Sequence, residues 1–328
     1  MIKVIIISYF YPPSNFVGGD RTAAWVKHLN KSGIYPIVIT RNWNNDQKDL
    51  VDPLNNNELV IEKTDSYEIR RLPYKRTLRD KLSKYPALKI FQKALTFKEL
   101  IFSNYFITAF SYFNFYTEAR SIIEQEDIKA VIASGRPFQS FFIGHTLKKK
   151  FDLLWIPDYR DEWTTHKHIE EQGAIHKWIN KLERKSELKW TSNADFFISV
   201  SQDWVKIINE LIKKEGKVVY NGYNQLEISP KRATDPDVLT ITYAGTLYPS
   251  QDISILINAC KKLINKGEKI NVRFIGTNIV SSEIGRATKL TKGYESNFEF
   301  IDRLPKSELE PYLLSSDVLY LTSFEKIK

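Results

Sequence analysis

Residues 1–21 constrain this chain more than any other stretch. Lys3-Val4-Ile5-Ile6-Ile7-Ser8 leads into Tyr9-Phe10-Tyr11-Pro12-Pro13, and Gly18-Gly19-Asp20-Arg21 follows. An unbroken β-branched run reads as a strand buried on both faces of a parallel sheet. The two prolines forbid its continuation. A helical pattern (Trp25, Val26, Leu29) begins just beyond the glycines. A strand, a glycine turn and a helix N-terminus leave backbone N–H groups unpaired and pointing outward, which suits an anion. The expected ligand therefore carries phosphate, and Gly18 and Gly19, lacking a Cβ, let the backbone approach it. The alternative is a plain turn. Arg21 either joins the anion site or sits in the first helical turn.

At 328 residues the chain is too long for one comfortable core, so two domains are expected. Strands are predicted at 2–8, 36–40, 67–72, 130–134, 153–157, 196–200 and 218–220. Helices are predicted between them at 21–31, 105–125, 139–150, 174–190 and 203–213. This alternation implies a parallel sheet with helices on both faces and ligands at the carboxyl ends of the strands. Residues 225–237 lack a period and contain Pro230 and Pro236, as a linker would. A second alternating unit follows at 238–328: strand 240–244, helix 253–264, strands 271–275 and 298–301, helix 307–314 and strand 318–321. Gly245 and Gly276 each end one of its strands, where a phosphate or ribose can approach. This unit is much smaller than the first, and its last strand has no covering helix after it. The expectation is a truncated domain or one that a partner completes.

Charge is unevenly placed. Between Lys75 and Lys98 lie eight basic residues (Lys75, Arg76, Arg79, Lys81, Lys84, Lys89, Lys93, Lys98) against one acid, Asp80, giving +7 of the net +9. Apolar residues (Leu78, Leu82, Tyr85, Leu88, Phe91, Leu95) interleave at roughly helical spacing on either side of Pro86, and 100–117 is uncharged and rich in Phe and Tyr. Polar residues interrupt that stretch too often for a membrane-spanning helix. A basic amphipathic segment beside aromatics suits the surface of an anionic membrane; the alternative is a solvated helix packed on the domain. No recognised nucleic-acid module accompanies the charge, so nucleic acid is not the expected partner. The single cysteine, Cys260, sits at helical spacing with apolar neighbours and reads as core in a reducing compartment. No signal peptide is evident. His166, His168 and His176 lack the spacing of converging metal ligands, and neither a nucleophile elbow nor a Walker lysine motif occurs.

In order along the chain, Phe10-Tyr11-Pro12-Pro13 through Gly18-Gly19 and Arg21, Ser134-Gly135-Arg136-Pro137-Phe138, Trp155 to Trp163, Val219-Tyr220-Asn221-Gly222-Tyr223, Tyr243-Ala244-Gly245-Thr246-Leu247, Phe274-Ile275-Gly276 and Asp302-Arg303-Leu304-Pro305 resemble the motifs of the retaining glycosyltransferases of family 4. The resemblance implies an α/β chain of GT-B fold: two Rossmann-like domains facing a cleft, the second incomplete. The acceptor domain spans 1–224 and the partial donor domain 238–328. It implies sugar transfer from a nucleotide-sugar to a polysaccharide or lipid-linked glycan at the inner face of the plasma membrane, with the protein cytoplasmic and peripheral. Lys75, Arg76, Arg79, Lys81, Lys84 and Lys89 would face the membrane. No cofactor or metal is expected, because the leaving phosphate itself takes the acceptor's proton. By the resemblance, Gly18, Gly19, Arg21, Gly245 and Thr246 contact the donor phosphates, and Gly276, Arg303 and Glu325 hold the rest of the donor. Ser134 and Arg136 bind the acceptor; Arg136 is otherwise a surface charge. Asp158, Arg160 and Asp161 serve catalysis, Arg160 standing where many relatives place a histidine, unless they form an internal ion pair that shapes the loop.

Two departures accompany the resemblance. The family carries an Arg and a Lys after the first donor-domain strand to neutralise the diphosphate; here Thr246 and Gln251 occupy those places, with Arg303 or Arg273 as substitutes. The family's Glu-containing donor motif belongs beyond Lys328. These departures leave open a truncated or degenerate transferase acting as a non-enzymatic membrane or partner-binding module, and a nucleotide-sugar epimerase is a further alternative.

Overall fold

The computed structural model describes residues 1–14, 16–43, 58–74, 78–82, 85–103, 106, 112–165, 174–222, 237–277 and 281–322. The chain divides into two compact units, Met1–Tyr223 and Asn224–Lys328.

The first unit runs β1 (Ile2–Ile7), α1 (Asp20–His28), β2 (Ile34–Arg41), β3 (Val60–Lys63), β4 (Glu68–Leu72), α2 (Leu78–Leu82), α3 (Lys89–Ser103), α4 (Phe113–Gln125), β5 (Ile128–Ser134), α5 (Gln139–Lys150), β6 (Leu154–Tyr159), α6 (Ala174–Thr191), β7 (Phe197–Ser199), α7 (Gln202–Ile212) and β8 (Gly216–Val218). Its eight strands lie in the order β3-β4-β2-β1-β5-β6-β7-β8. Every neighbouring pair is parallel except β3 with β4.

β1 sits in the middle, as its unbroken apolar run demands. Successive side chains of a strand point to opposite faces, and here they fall into two cores. Ile5 and Ile7 join Ile37, Ile39, Val131 and Ala133 under α4, α5 and α7. Val4 and Ile6 join Val38 and Ala130 against Val26 of α1. Burying both faces is what excludes polar residues from this strand. β3 is antiparallel, short and mostly exposed at the sheet edge. It carries no apolar alternation, and the sequence pattern misses it for that reason.

The second unit runs β9 (Leu239–Ala244), α8 (Ser254–Ile264), β10 (Ile270–Ile275), α9 (Ser281–Thr291), β11 (Phe298–Ile301), α10 (Lys306–Leu314) and β12 (Val318–Leu319). Four parallel strands lie in the order β11-β10-β9-β12. Tyr243, Val272, Phe274, Ile257 and Cys260 form its core, with Ala287 of α9. The sequence pattern misses α9: Gly285 interrupts it, and Ile284, Ala287 and Leu290 are its only large or core-facing apolar positions.

Among the described residues no helix is long and apolar enough to cross a membrane, and no three His, Cys, Asp or Glu side chains group as a metal site would require. Lys75, Arg76, Lys84, His166, His168, Glu325 and nearly all of 225–237 lie outside the described residues.

Candidate functional site

Parallel pairing places the ends of β1, β5 and β6 side by side, and the candidate residues of the first unit collect there. Ser134 pairs with Asp158 in register. The Ser134 hydroxyl donates to Asp158 Oδ2 at 3.0 Å. Arg21, from the first turn of α1, donates through Nε to both carboxylate oxygens at 3.1 and 3.2 Å. Both side chains are buried, Asp158 completely. Burial pushes the Asp158 carboxyl above its ordinary value, while Arg21 and Ser134 pull it back down. Arg21 continues through Nη1 to the carbonyl of Val219 at 2.7 Å and to Asn221 Oδ1 at 3.1 Å, and its guanidinium lies over the Trp25 ring. One arginine thus ties α1, β6 and the segment that follows β8. A buried pair of this kind fixes loop geometry.

Above it lies a more open layer. Arg160 donates through Nη1 to the Gly18 carbonyl at 2.8 Å and pairs with Asp161 at 3.4 Å. Arg136 Nε lies 3.8 Å from Asp161, with the Arg136 side chain 55% exposed. Arg136 has φ +50°, a left-handed conformation that costs a non-glycine residue roughly 1–2 kcal/mol and is most often held at functional edges.

The glycine pair is more occupied than the sequence suggests. Residues Val17–Gly19 form a 3₁₀ turn that runs directly into α1. The Gly19 N–H donates to the Phe16 carbonyl at 3.0 Å, and the Asp20 N–H donates to the Val17 carbonyl. Those two donors, expected to be unpaired, are consumed inside the turn. A Cβ on Gly18 would stand 2.2 Å from Arg160 Nη1, and one on Gly19 3.0 Å from the Tyr11 backbone. Close packing crowds a side chain at both positions, which gives glycine a packing reason to stand there.

Beneath this edge, Thr164 donates to Glu187 of α6 in the protein interior. Burial raises the Glu187 carboxyl to about 7, opposed by the Thr164 hydroxyl, by Tyr159 and more weakly by Arg184. No spacing in the sequence marks Glu187. A single polar residue on a helix gains its meaning only from what the fold packs over it.

The carboxyl edge of the second sheet is built differently. Gly245 follows β9 with φ +149° and Gly276 follows β10 with φ +76°. Each N–H is held by the neighbouring strand, Gly245 by Ile275 and Gly276 by Ile301. A Cβ on Gly276 would come no closer than 3.8 Å to the Arg303 Cα and 3.9 Å to the Arg303 Cβ and the Gly245 carbonyl, and one on Gly245 would meet a Tyr243 hydroxyl at 3.9 Å. Gly245, Gly276 and Arg303 therefore meet at one edge, with Thr246 beside them. Arg273 does not: it lies within β10, where it binds Ser315 at 3.1 Å and pairs with Glu299. As a substitute cation at the edge it is excluded by its place in the strand.

Gln251 is buried. Its Oε1 accepts from the Tyr248 N–H at 2.9 Å, and its amide nitrogen donates to the Thr322 carbonyl at 3.4 Å. The side chain shapes the loop after β9. Arg286 of α9 reaches the same loop, donating to the Gln251 carbonyl at 2.8 Å while pairing with Glu283.

No protein-family model matches the sequence, and no curated protein matches it. Solved structures do resemble the chain. The α,α-trehalose-6-phosphate synthase of Burkholderia multivorans superposes with a TM-score of 0.63 at 10% identity, over 98% of this chain and 78% of that one. A glycosyltransferase from Rickettsia africae matches with a TM-score of 0.54 at 15% identity, over 97% and 72%. The catalytic domain of starch synthase IV from Arabidopsis thaliana, bound to ADP and acarbose, matches with a TM-score of 0.60 at 10% identity, over 97% and 77%. The Escherichia coli trehalose-6-phosphate enzyme bound with UDP-2-fluoro glucose matches with a TM-score of 0.58 at 13% identity. At such identities it is the architecture that is shared, and the chain has the mixed α/β, parallel-sheet fold of the GT-B glycosyltransferases.

Proposed function

We propose that this protein is a retaining glycosyltransferase of the family-4 type, moving a sugar from a nucleotide-sugar to a polysaccharide or lipid-linked glycan at the inner face of the plasma membrane. The observation that carries the reading is the bare edge of the second sheet. Two positive-φ glycines end adjacent strands there, beside Arg303, and strand ends of this kind are where nucleotides lie in open α/β sheets. The nucleotide ligands of the starch synthase and of the Escherichia coli enzyme support the donor class.

In the reaction, the bond between the anomeric carbon and the donor phosphate oxygen breaks. The acceptor oxygen bonds to that carbon on the same face, and its proton passes to the departing phosphate. Charge grows on the phosphate in the transition state, so a fixed cation and fixed N–H groups accelerate the step. Arg303 fills the first role. On the acceptor side, Asp158 acts through Arg21 and Ser134 as a positioning residue, and Arg136, Arg160 and Asp161 form the layer facing the acceptor.

Incubation of the protein with UDP-, GDP- and ADP-sugars, with and without glycan acceptors, tests the reading. Donor turnover is expected, and Arg303→Ala is expected to slow it about a hundredfold. Absence of donor hydrolysis and transfer with every sugar would overturn it. One observation favours a second reading, a degenerate transferase that binds without turning over: Gln251 is spent on internal hydrogen bonds where the family places a cation. Donor binding by calorimetry without turnover would select that reading. No observation favours an epimerase.

A further inference from the structure

The helix α3 is inside out. Among its described side chains the half-buried ones are Gln92, Leu95, Glu99 and, near its end, Ile101; the first three share one face at i, i+3 and i+7. The polar pair among them is spent on α2: Gln92 donates to the Leu82 carbonyl at 2.5 Å, and Glu99 pairs with Arg79 at 3.4 Å. The opposite face carries Ile90, 84% exposed, with Ala94 and Phe97 in line behind it, and Phe91 and Phe102 along its border. Lys93 lies on one flank of this stripe and Lys98 on the other, with Lys89 at the helix start; all three are exposed. Of the apolar residues that interleave at roughly helical spacing in the sequence, Leu82 and Leu95 turn inward. Leu78, Tyr85, Leu88 and Phe91 are exposed.

The surface does not end at α3. Phe97 stacks on Trp178 of α6 with ring centroids 5.0 Å apart. Trp178 is itself 42% exposed, and exposed Lys177 and Lys181 flank it. A soluble protein rarely leaves such an apolar surface uncovered.

We infer that the outward faces of α3 and the start of α6 form one docking surface for an anionic lipid bilayer, with Ile90, Phe91 and Trp178 entering the headgroup layer. Charge decides the occupant. The only acid on α3, Glu99, points inward, so its outer face offers apolar and cationic groups alone. A second copy of that face would be repelled by it, whereas anionic headgroups complement both components. Fifteen residues are too few to span a bilayer, so α3 lies in its plane, with lysines on both flanks at headgroup level. The inference deepens the membrane part of the proposed function and rests on the transferase reading only for why a lipid surface is visited.

Flotation of the full chain with vesicles of phosphatidylglycerol and phosphatidylcholine, against phosphatidylcholine alone, tests it. The protein is expected to float with the anionic vesicles. Lys89→Gln/Lys93→Gln/Lys98→Gln is expected to weaken binding about fivefold per charge, roughly a hundredfold in all. Ile90→Ser/Phe91→Ser is expected to weaken it about tenfold or more per residue. All five positions are exposed, so an unchanged thermal melt verifies that the variants remain folded. Equal binding by the lysine variant, no flotation of the unmodified protein, or a concentration-dependent dimer abolished by Ile90→Ser would each overturn the inference. Flotation needs no turnover and donor hydrolysis needs no vesicle, so either reading can fail alone.

Discussion

The two sheets end in opposite ways. At the carboxyl edge of the first, side chains fill the space: Arg21, Ser134 and Asp158 lock together below, and Arg160 grips the Gly18 carbonyl above. At the carboxyl edge of the second, two adjacent strands, β9 and β10, run into glycine, and little stands near where side chains would be there. The first edge is shaped by interactions it makes with itself, so its geometry exists before any ligand arrives. The second is shaped by what it omits. Under the proposed function, one edge of each kind suits a variable acceptor and a common diphosphate, since preorganised side chains orient and bare backbone approaches phosphate closely.

Breaking the Arg21–Asp158 pair tests the contrast most severely. Asp158→Ala leaves a buried guanidinium without its counter-ion, and removing one partner of a buried pair costs about 3–5 kcal/mol. Urea unfolding should show that loss in its midpoint with an unchanged slope. Replacing both partners with apolar residues of similar size, Arg21→Met with Asp158→Leu, should recover much of it. Arg303→Ala, at the exposed edge of the other sheet, should stay within about 0.5 kcal/mol. A loss below about 1 kcal/mol for Asp158→Ala would mean that the first edge is not self-supporting.

Glu187 sharpens the same point through pH. An unfolded glutamate ionises near 4.5, whereas Glu187 in the folded chain holds its proton to about 7. Between those values the folded state binds the extra proton, so stability must fall as pH rises. The contribution is fully present below pH 4.5 and gone above pH 7, and it amounts to about 3 kcal/mol across the window. Glu187→Gln, neutral at every pH and still able to accept from Thr164, should flatten the slope between those limits and make the protein more stable at pH 8. A slope identical to that of the unmodified chain would show that Glu187 is already ionised in the fold, and the interior under this edge would then be wetter than its burial implies.

What the sequence reveals follows the same division. Strands buried on both faces announce themselves: β1 and β5 lie where β-branched and apolar runs predict, and α5 matches its predicted span, because burial forces composition. β3, at a sheet edge, and α9, interrupted by Gly285, owe their form to neighbours and leave little pattern. The same holds for the site. Gly245, Gly276 and Arg303 are legible because they follow strands. The partners of Arg21, 137 residues away at Asp158 and beyond β8, are not, and neither is the crowding of Gly18 by Arg160 and Phe10. The amphipathic character of 78–103 is readable, but its orientation is not: periodicity gives the stripe, and only packing says which way it faces.

A glycine of the bare edge sharpens the contrast with a modest stability effect. Gly276 has φ +76°, so an alanine there adopts a left-handed conformation at a cost of about 1–2 kcal/mol, with no clash to add to it because the nearest atom stands 3.8 Å away. Gly276→Ala should therefore fold and melt only slightly early. If the edge holds the donor diphosphate, the added methyl group stands where a phosphate oxygen must approach the backbone, and donor affinity should fall far more than stability, by about tenfold or more in calorimetry with the nucleotide diphosphate. A variant that loses stability while binding the nucleotide normally would show that glycine is there for the turn alone, and the contrast between the two edges would then be one of packing without a ligand behind it.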